Sequence, residues 1–154
     1  MKLDKFDKQI LRTLQQDATV SMAELSNHVG LSHTPCWRRV KRLEKDGFIQ
    51  RKVTLLNNKK LNLGVSVFIY VSLKNHDETS LNRFEAAVQD IDEIVECHTT
   101  SGDRDYLLKV VVESIEEYEL LLKSKLTHLP SVDHISSTFA LKQVKYTTEL
   151  PIKG

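Results

Sequence analysis

Gly30 separates two short stretches whose apolar residues recur at helical spacing, and no other feature of the chain restricts its fold as strongly. Before it, Ser21 is placed to cap a helix, Glu24 sits three residues later as in a capping box, and Leu25 and Val29 form the apolar stripe. A glycine just past the last periodic residue ends such a helix, because it takes the left-handed conformation without a Cβ clash. Beyond it, Leu31 leads into a further helix capped by Ser32, on which Cys36, Val40 and Leu43 fall within about 60° of one another at roughly 100° per residue. The opposite face carries Thr34, Arg38, Lys41, Arg42 and Lys45. Upstream, Phe6, Ile10, Leu11 and Leu14 mark a first helix from about Asp4, its cap, to Gln16. Three short helices, the last two joined by a glycine turn and the last one basic, have the layout of a DNA-reading helix-turn-helix.

Charge supports a division of the chain. Residues 1–60 hold 13 Lys and Arg against 6 Asp and Glu, whereas residues 61–154 hold 9 against 15, so a formal net charge of +1 hides parts of about +7 and −6. Only the first part suits a polyanion. With 40% hydrophobic residues in 154, the chain can bury one core or two small ones. Cys36 and Cys97 lie far apart, without CxxC or Cys/His spacing, which argues against a disulfide framework or a metal site. No apolar run approaches the roughly 18 residues that a membrane span needs, and the expectation is a soluble, reduced, cytoplasmic protein.

After Gly47, FIQRKVTLLN reads as a short extended ribbon bearing Arg51 and Lys52, similar to the wing of a winged helix. The polar NNKKLNLG at 57–64 is the best linker. Next, Val65, Val67, Ile69, Val71 and Leu73 alternate as in a strand, and Phe68 and Tyr70 make its second face partly apolar. Leu81, Phe84, Val88 and Ile91 mark a helix; EIVECHTTS and YLLKVVV are strands joined by a turn at GDRD; Tyr118, Leu122, Leu126 and Leu129 mark a helix ending near Pro130; VDHISSTFALKQV is a final strand. The order strand, helix, strand, strand, helix, strand is the ferredoxin-like split βαβ arrangement. The fold class is therefore α+β, with a winged helix-turn-helix at 1–56, a linker at 57–64 and a ferredoxin-like domain at 65–154. A homodimer whose sheets pack together would cover Phe68 and Tyr70.

Docking of the third helix in a major groove would bring His33, Thr34, Trp37 and Arg38 to base edges, and Arg39, Arg42, Lys45, Arg51 and Lys52 to phosphates. The competing reading of a basic helix is a solvated face with i,i+4 pairs, and a tryptophan beside an apolar stripe is more often a partly buried packing residue. In the second part, the Ser101–Tyr106 turn could hold a zwitterion, its backbone N–H groups taking a carboxylate and Asp103 or Asp105 an ammonium, although composition alone favours an ordinary hairpin turn. His134, Ser136 and Thr138 share one face of the last strand and either line a site or face water. Nothing resembles a phosphate loop, a GxSxG elbow or a metal-ligand spacing, and Cys97-His98, adjacent on a strand, point to opposite faces, so no enzymatic reading is favoured.

The stretches LDKFDKQIL, AELSNHVGLSHTPCWRRVKRLEKDGFI and ECHTTSGDRDYLLKV followed by LPSV, in this order and separation, carry a resemblance over essentially the whole chain to the Lrp/AsnC (leucine-responsive and asparagine-responsive, feast/famine) regulators of bacteria and archaea. The resemblance implies a cytoplasmic, nucleoid-associated transcriptional regulator, not an enzyme, with double-stranded DNA as partner, no metal and no cofactor besides an effector. It implies a sensor domain that dimerises through its sheet and joins four dimers into an octamer. An amino acid such as leucine or methionine would bind between dimers near the turn, at Gly102, Asp103, Arg104, Asp105 and Tyr106, with Ser136 and Thr138 as secondary candidates. Ser32, His33, Thr34, Trp37, Arg38, Arg39, Lys41, Arg42, Lys45, Arg51 and Lys52 would be the DNA-binding set. His33 stands where many leucine-responsive relatives have proline, and Trp37 occupies a variable position, so the operator is not carried over. An effector-independent architectural protein that wraps DNA is the alternative reading.

Overall fold

Reciprocal caps start the first two helices. In α1 (Lys5–Gln16) the Asp4 carboxylate accepts the Asp7 N–H at 2.9 Å and the Asp7 carboxylate accepts the Asp4 N–H at 3.2 Å; in α2 (Met22–Val29) Ser21 and Glu24 exchange the same pair of bonds. Gly30 ends α2 at φ +72°, its N–H bonded to Asn27 and that of Leu31 to Ser26, as the sequence requires. The third helix, α3 (His33–Lys45), differs: Ser32 occupies the cap position but its hydroxyl makes no cap bond. The residue three places on is Pro35, which has no N–H to give.

The structure, a computed structural model, describes residues 2–153. It divides into two compact units, one of residues up to Leu55 with those from Lys145 onward, the other Leu56–Val144. In the first, Ile10, Leu25, Val29, Cys36, Val40 and Leu43 form a core with Phe6, Leu11 and Leu14 packed against it, matching the stripes read from sequence. Residues 50–57 join no ladder among the described residues, so the expected ribbon is present only as unpaired chain. Residues 145–153, expected to belong to the second domain, instead lie along α1. There the Gln15 side-chain amide meets both backbone groups of Leu150, at 2.9 and 3.1 Å, and Arg12 donates to the Ile152 carbonyl at 2.9 Å. These are polar contacts, and no apolar periodicity announces them.

The second unit opens with a short 3₁₀ turn, Asn58–Leu61, in place of a featureless linker. Then follow β1 (Val65–Leu73), α4 (Glu78–Gln89), β2 (Ile94–Thr99), β3 (Tyr106–Val112), α5 (Ile115–Ser124) and β4 (Val132–Phe139). The antiparallel sheet has the order β2-β3-β1-β4. Its helix-packed face buries Val67, Ile69, Val71, Leu108 and Val110 against Phe84, Val88, Tyr118 and Leu121. Phe68 and Tyr70 point to the other face, 37% and 40% exposed. Helix α5 stops before the expected Pro130. The Ser124 hydroxyl bonds back to the Leu120 carbonyl and Thr127 to that of Lys123, competing with main-chain pairing, and the chain passes into a 3₁₀ turn at Leu126–His128. Strand β4 likewise ends at Phe139, short of the expected Val144.

Candidate functional site

The periodicity that buries Cys36, Val40 and Leu43 turns the rest of α3 outward. Ser32, His33, Thr34, Trp37, Arg38, Lys41, Arg42 and Lys45 are exposed, as are Arg51 and Lys52 after the helix. Trp37, at 47% exposure, is not a packing residue. The side chains of His33, Thr34, Trp37, Arg38, Lys45 and Arg51 enter no hydrogen bond or ion pair among the described residues. Unsatisfied cations spaced from Arg38 through Lys45 to Arg51, with an exposed indole in the first half of the helix, present donors and a flat apolar surface without first breaking internal bonds.

Arg39 and Arg42 differ from that set. The Arg39 guanidinium bridges Asp4 at 2.6 Å and Asp7 at 2.8 Å and lies over the Phe6 ring, while Arg42 reaches the same Asp7 oxygen at 2.6 Å. The side chain of Asp7 is only 2% exposed, so α1 and α3 are tied by a largely desolvated carboxylate shared between two guanidinium groups. The backbone N–H of Asp7, assisted by Arg39, holds the Asp4 carboxyl below the ordinary range, and the Asp4 and Asp7 carboxylates raise the Arg39 pKa. Arg39, expected at phosphates, is a strut between helices. At 100° per residue it sits beside the buried stripe, where a long side chain meets the neighbouring helix before it meets solvent. Glu44 makes a further internal claim on the basic surface, 2.8 Å from Lys41 and 3.9 Å from Lys52.

In the second unit the turn between β2 and β3 is built around Asp105. One oxygen of its carboxylate accepts the Leu73 N–H at 2.7 Å and the other lies 2.9 Å from His76 Nε2, while its own N–H donates to Val71. Asp105 therefore fixes the turn to the end of β1 and has no oxygen without a partner. Gly102, at φ +116°, permits the reversal, and nothing lies within 4 Å of where its Cβ would be. Asp103 is exposed and unbonded. Arg104 reaches the Ser72 hydroxyl at 3.4 Å.

Register separates the remaining candidates. Val71 pairs with Tyr106 and Ile135 on the helix-packed face, whereas Tyr70 pairs with Ser136 and Phe68 with Thr138 on the open face. Tyr106 is 1% exposed, stacks on Phe84 at 4.5 Å, and donates from its phenol to Glu85 at 2.8 Å; burial and that carboxylate push its pKa far up. One protomer thus brings Gly102, Asp103 and Arg104 together but keeps Tyr106 and the Ser136/Thr138 pair on opposite faces. Sequence reading missed Asp7, His76 and Glu85. The paired spacing of Asp4/Asp7 and Arg39/Arg42, three apart in each case, was the available signal for the first; the others depend on register. No His, Cys, Asp and Glu group among the described residues could hold a metal ion, and none of their helices is long and apolar enough to cross a membrane.

A family model described as Winged helix-turn-helix DNA-binding matches residues 3–50, and one described as Lrp/AsnC ligand binding domain matches residues 66–150. The chain is 44% identical to the leucine-responsive regulatory protein of Salmonella typhimurium and 43% identical to the glutamate uptake regulatory protein of Zymomonas mobilis, in each case over 98% of this chain and 92% of the relative. Among solved structures, a transcriptional regulator of Neisseria meningitidis in complex with L-Met superposes with a TM-score of 0.93 at 35% identity, covering 97% of both chains.

Proposed function

Because this chain belongs to the Lrp/AsnC family of DNA-binding transcriptional regulators that carry a ligand-binding domain, we propose that it reads specific operators through α3 and tunes that reading with an amino-acid effector. The observation that carries the proposal is the array of exposed, unbonded side chains on α3, with the Ser32 hydroxyl spared from capping by Pro35. His33, Thr34, Trp37 and Arg38 meet base edges; Ser32, Lys41, Lys45, Arg51 and Lys52 meet phosphates, with Arg42 shared between DNA and Asp7. One such helix specifies only a few base pairs, so a dimer formed through the open sheet face around Phe68 and Tyr70, and assembled further into an octamer, multiplies affinity by effective concentration.

The effector reading rests on the family's ligand-binding domain and on the L-Met complex of the Neisseria relative. In this chain the free carboxylate of Asp103 takes the ammonium, Arg104 and the turn's N–H groups take the carboxylate, and Ser136 and Thr138 are contributed by a second protomer. Selection of bound duplexes from a random pool, followed by anisotropy titration, tests the DNA half. Arg38→Ala should lose most discrimination between the selected duplex and a scrambled one, and an unchanged ratio would remove Arg38 from base reading. A thermal-shift screen over the amino acids tests the other half; stabilisation that survives Asp103→Ala unchanged would exclude the turn, and no shift with any amino acid would favour the effector-independent alternative.

A further inference from the structure

Thr34, Trp37, Arg38, Lys41 and Lys45 recur at i, i+3, i+4, i+7 and i+11, so one continuous stripe of exposed side chains runs along α3 away from Cys36, Val40 and Leu43. Trp37 is the one member of the stripe with neither a hydroxyl nor a charge. It is not part of the core of its unit, and among the described residues it meets no other ring or cation and its indole N–H has no acceptor. Its apolar surface therefore adds little to folding and leaves water only when a partner covers it. Single exposed apolar residues are common on protein surfaces. This one stands beside Arg38 and one turn before Lys41, on the face that the proposed docking turns to DNA.

What a major groove offers narrows the partner. At roughly 100° per residue Trp37 and Arg38 diverge to opposite sides of the line through Thr34 and Lys41, so the two meet different base pairs. On the floor of the groove guanine presents two acceptors, which suit a guanidinium, whereas thymine presents one acceptor, O4, beside the only apolar group there, its C5-methyl. The indole matches the thymine pattern, an N–H donor on an apolar ring, while cytosine would set its amino donor against that N–H. The sugar-phosphate wall is a poorer partner. An uncharged ring gains no ion pair there, and Glu44, two turns further along the same flank of α3, adds a carboxylate to that side. We infer that Trp37 selects thymine through its C5-methyl group at one base pair of each half-site, and so sets the operator at a position that Arg38 does not read. This assignment rests on the proposal that α3 reads base edges.

Uracil isolates the contact, because it pairs like thymine and keeps O4 but lacks the methyl group. In the duplex selected by the wild-type chain, each thymine is replaced in turn by deoxyuridine and the dissociation constant is measured by anisotropy. At one thymine of each half-site the replacement should weaken binding by wild type roughly fourfold, the worth of one buried methyl group. That loss should vanish in Trp37→Ala and persist in Thr34→Ala, whose own methyl group is the nearest rival for the contact. Parent and uracil duplexes are compared within each protein, so a variant that binds every duplex more weakly still reports the coupling. A selected duplex in which no thymine is sensitive to uracil, or an equal uracil penalty in wild type and Trp37→Ala, would overturn the assignment. Should Arg38→Ala still lose its discrimination between selected and scrambled duplexes in that case, base reading by α3 would stand and the thymine contact alone would fall.

Discussion

Asp7→Ala is the substitution that most directly probes how the DNA-binding unit is held together. Its carboxylate is 2% exposed and accepts from Arg39 at 2.8 Å, from Arg42 at 2.6 Å and from the Asp4 N–H at 3.2 Å. Deleting one member of a buried ion pair costs roughly 3–5 kcal/mol, because the partners keep their charge and lose their compensation. Here the partners are not sealed: the Arg39 and Arg42 side chains are 25% and 43% exposed, and Arg39 keeps Asp4 at 2.6 Å. Water and Asp4 therefore recover part of the loss, leaving a destabilisation of about 2–3 kcal/mol. For a unit of this size each kcal/mol moves the midpoint by about 4–8 °C, so the transition should fall by roughly 10–20 °C. Urea unfolding followed by fluorescence of Trp37, the chain's single tryptophan, reads this unit selectively. Asp7→Asn, which keeps an acceptor but not the charge, should fall between variant and wild type. A second consequence distinguishes the strut from a general loss of packing: below its midpoint, Asp7→Ala frees the Arg42 guanidinium while Arg39 keeps Asp4, so binding to a non-specific duplex should steepen in its salt dependence by about one unit for the further phosphate that Arg42 neutralises. A loss under about 0.5 kcal/mol with an unchanged salt slope would refute the strut.

Glu44→Gln should free Lys41 and Lys52 and raise affinity for all duplexes alike, roughly two- to tenfold at low salt, by anisotropy titration; an effect confined to one sequence would contradict a phosphate role. Ser21→Ala should cost about 1 kcal/mol in the same urea experiment through the lost cap on α2. Gln15→Ala should abolish hydrogen-exchange protection at the Leu150 amide while leaving the Asp17 amide, bonded within α1, protected. Asp4, held down chiefly by the Asp7 N–H, Asp17 by Thr19 and Glu24 by Ser21 in the first unit, and Asp77 by Ser80, Glu93 by Lys125 and Glu96 by Lys109 in the second, all titrate below the ordinary carboxylate range. A depressed folded pKa gives stability that is complete above the unfolded value of about 4 and lost as pH falls through the folded one. Thermal midpoints should therefore decline on acidification below about pH 4, and a midpoint that rises there would oppose these hydrogen bonds.

What could be read from the chain was whatever depends on neighbours within a turn or two. Ser21, Glu24, Leu25, Val29 and Gly30 specify α2 completely because cap, stripe and stop are all local, and the alternation of Val67, Ile69 and Val71 specifies β1 in the same way. Local rules fail where a side chain is claimed by something distant. Ser32 has the right identity for a cap, but Pro35 withdraws the donor. Arg39 has the right charge for phosphate, but Asp4 and Asp7 come to it from 35 and 32 residues away. The last residues lie along α1 through Gln15 and Arg12, contacts that carry no periodicity to notice.

The effector turn shows the same division within a single motif. Gly102 and Asp103 behave as composition suggests, one reversing the chain and the other free in solvent, because a turn is decided by its own few residues. Asp105 and Tyr106 follow at once in sequence yet do different things: Asp105 locks onto the Leu73 amide and His76, and Tyr106 dives into the core toward Glu85. Strand alternation makes such a split inevitable, since consecutive residues entering β3 must leave by opposite faces, and only the pairing of Val71 with Tyr106 and of Tyr70 with Ser136 tells which residues share a face. A motif of adjacent letters can therefore mark a ligand site in a family without its letters sharing one pocket in one protomer. If, as proposed, Ser136 and Thr138 reach the turn's effector from a second copy of the chain, dilution below the assembly threshold should abolish effector binding even in a protein that remains folded, and full-strength binding to an isolated monomer would oppose this arrangement.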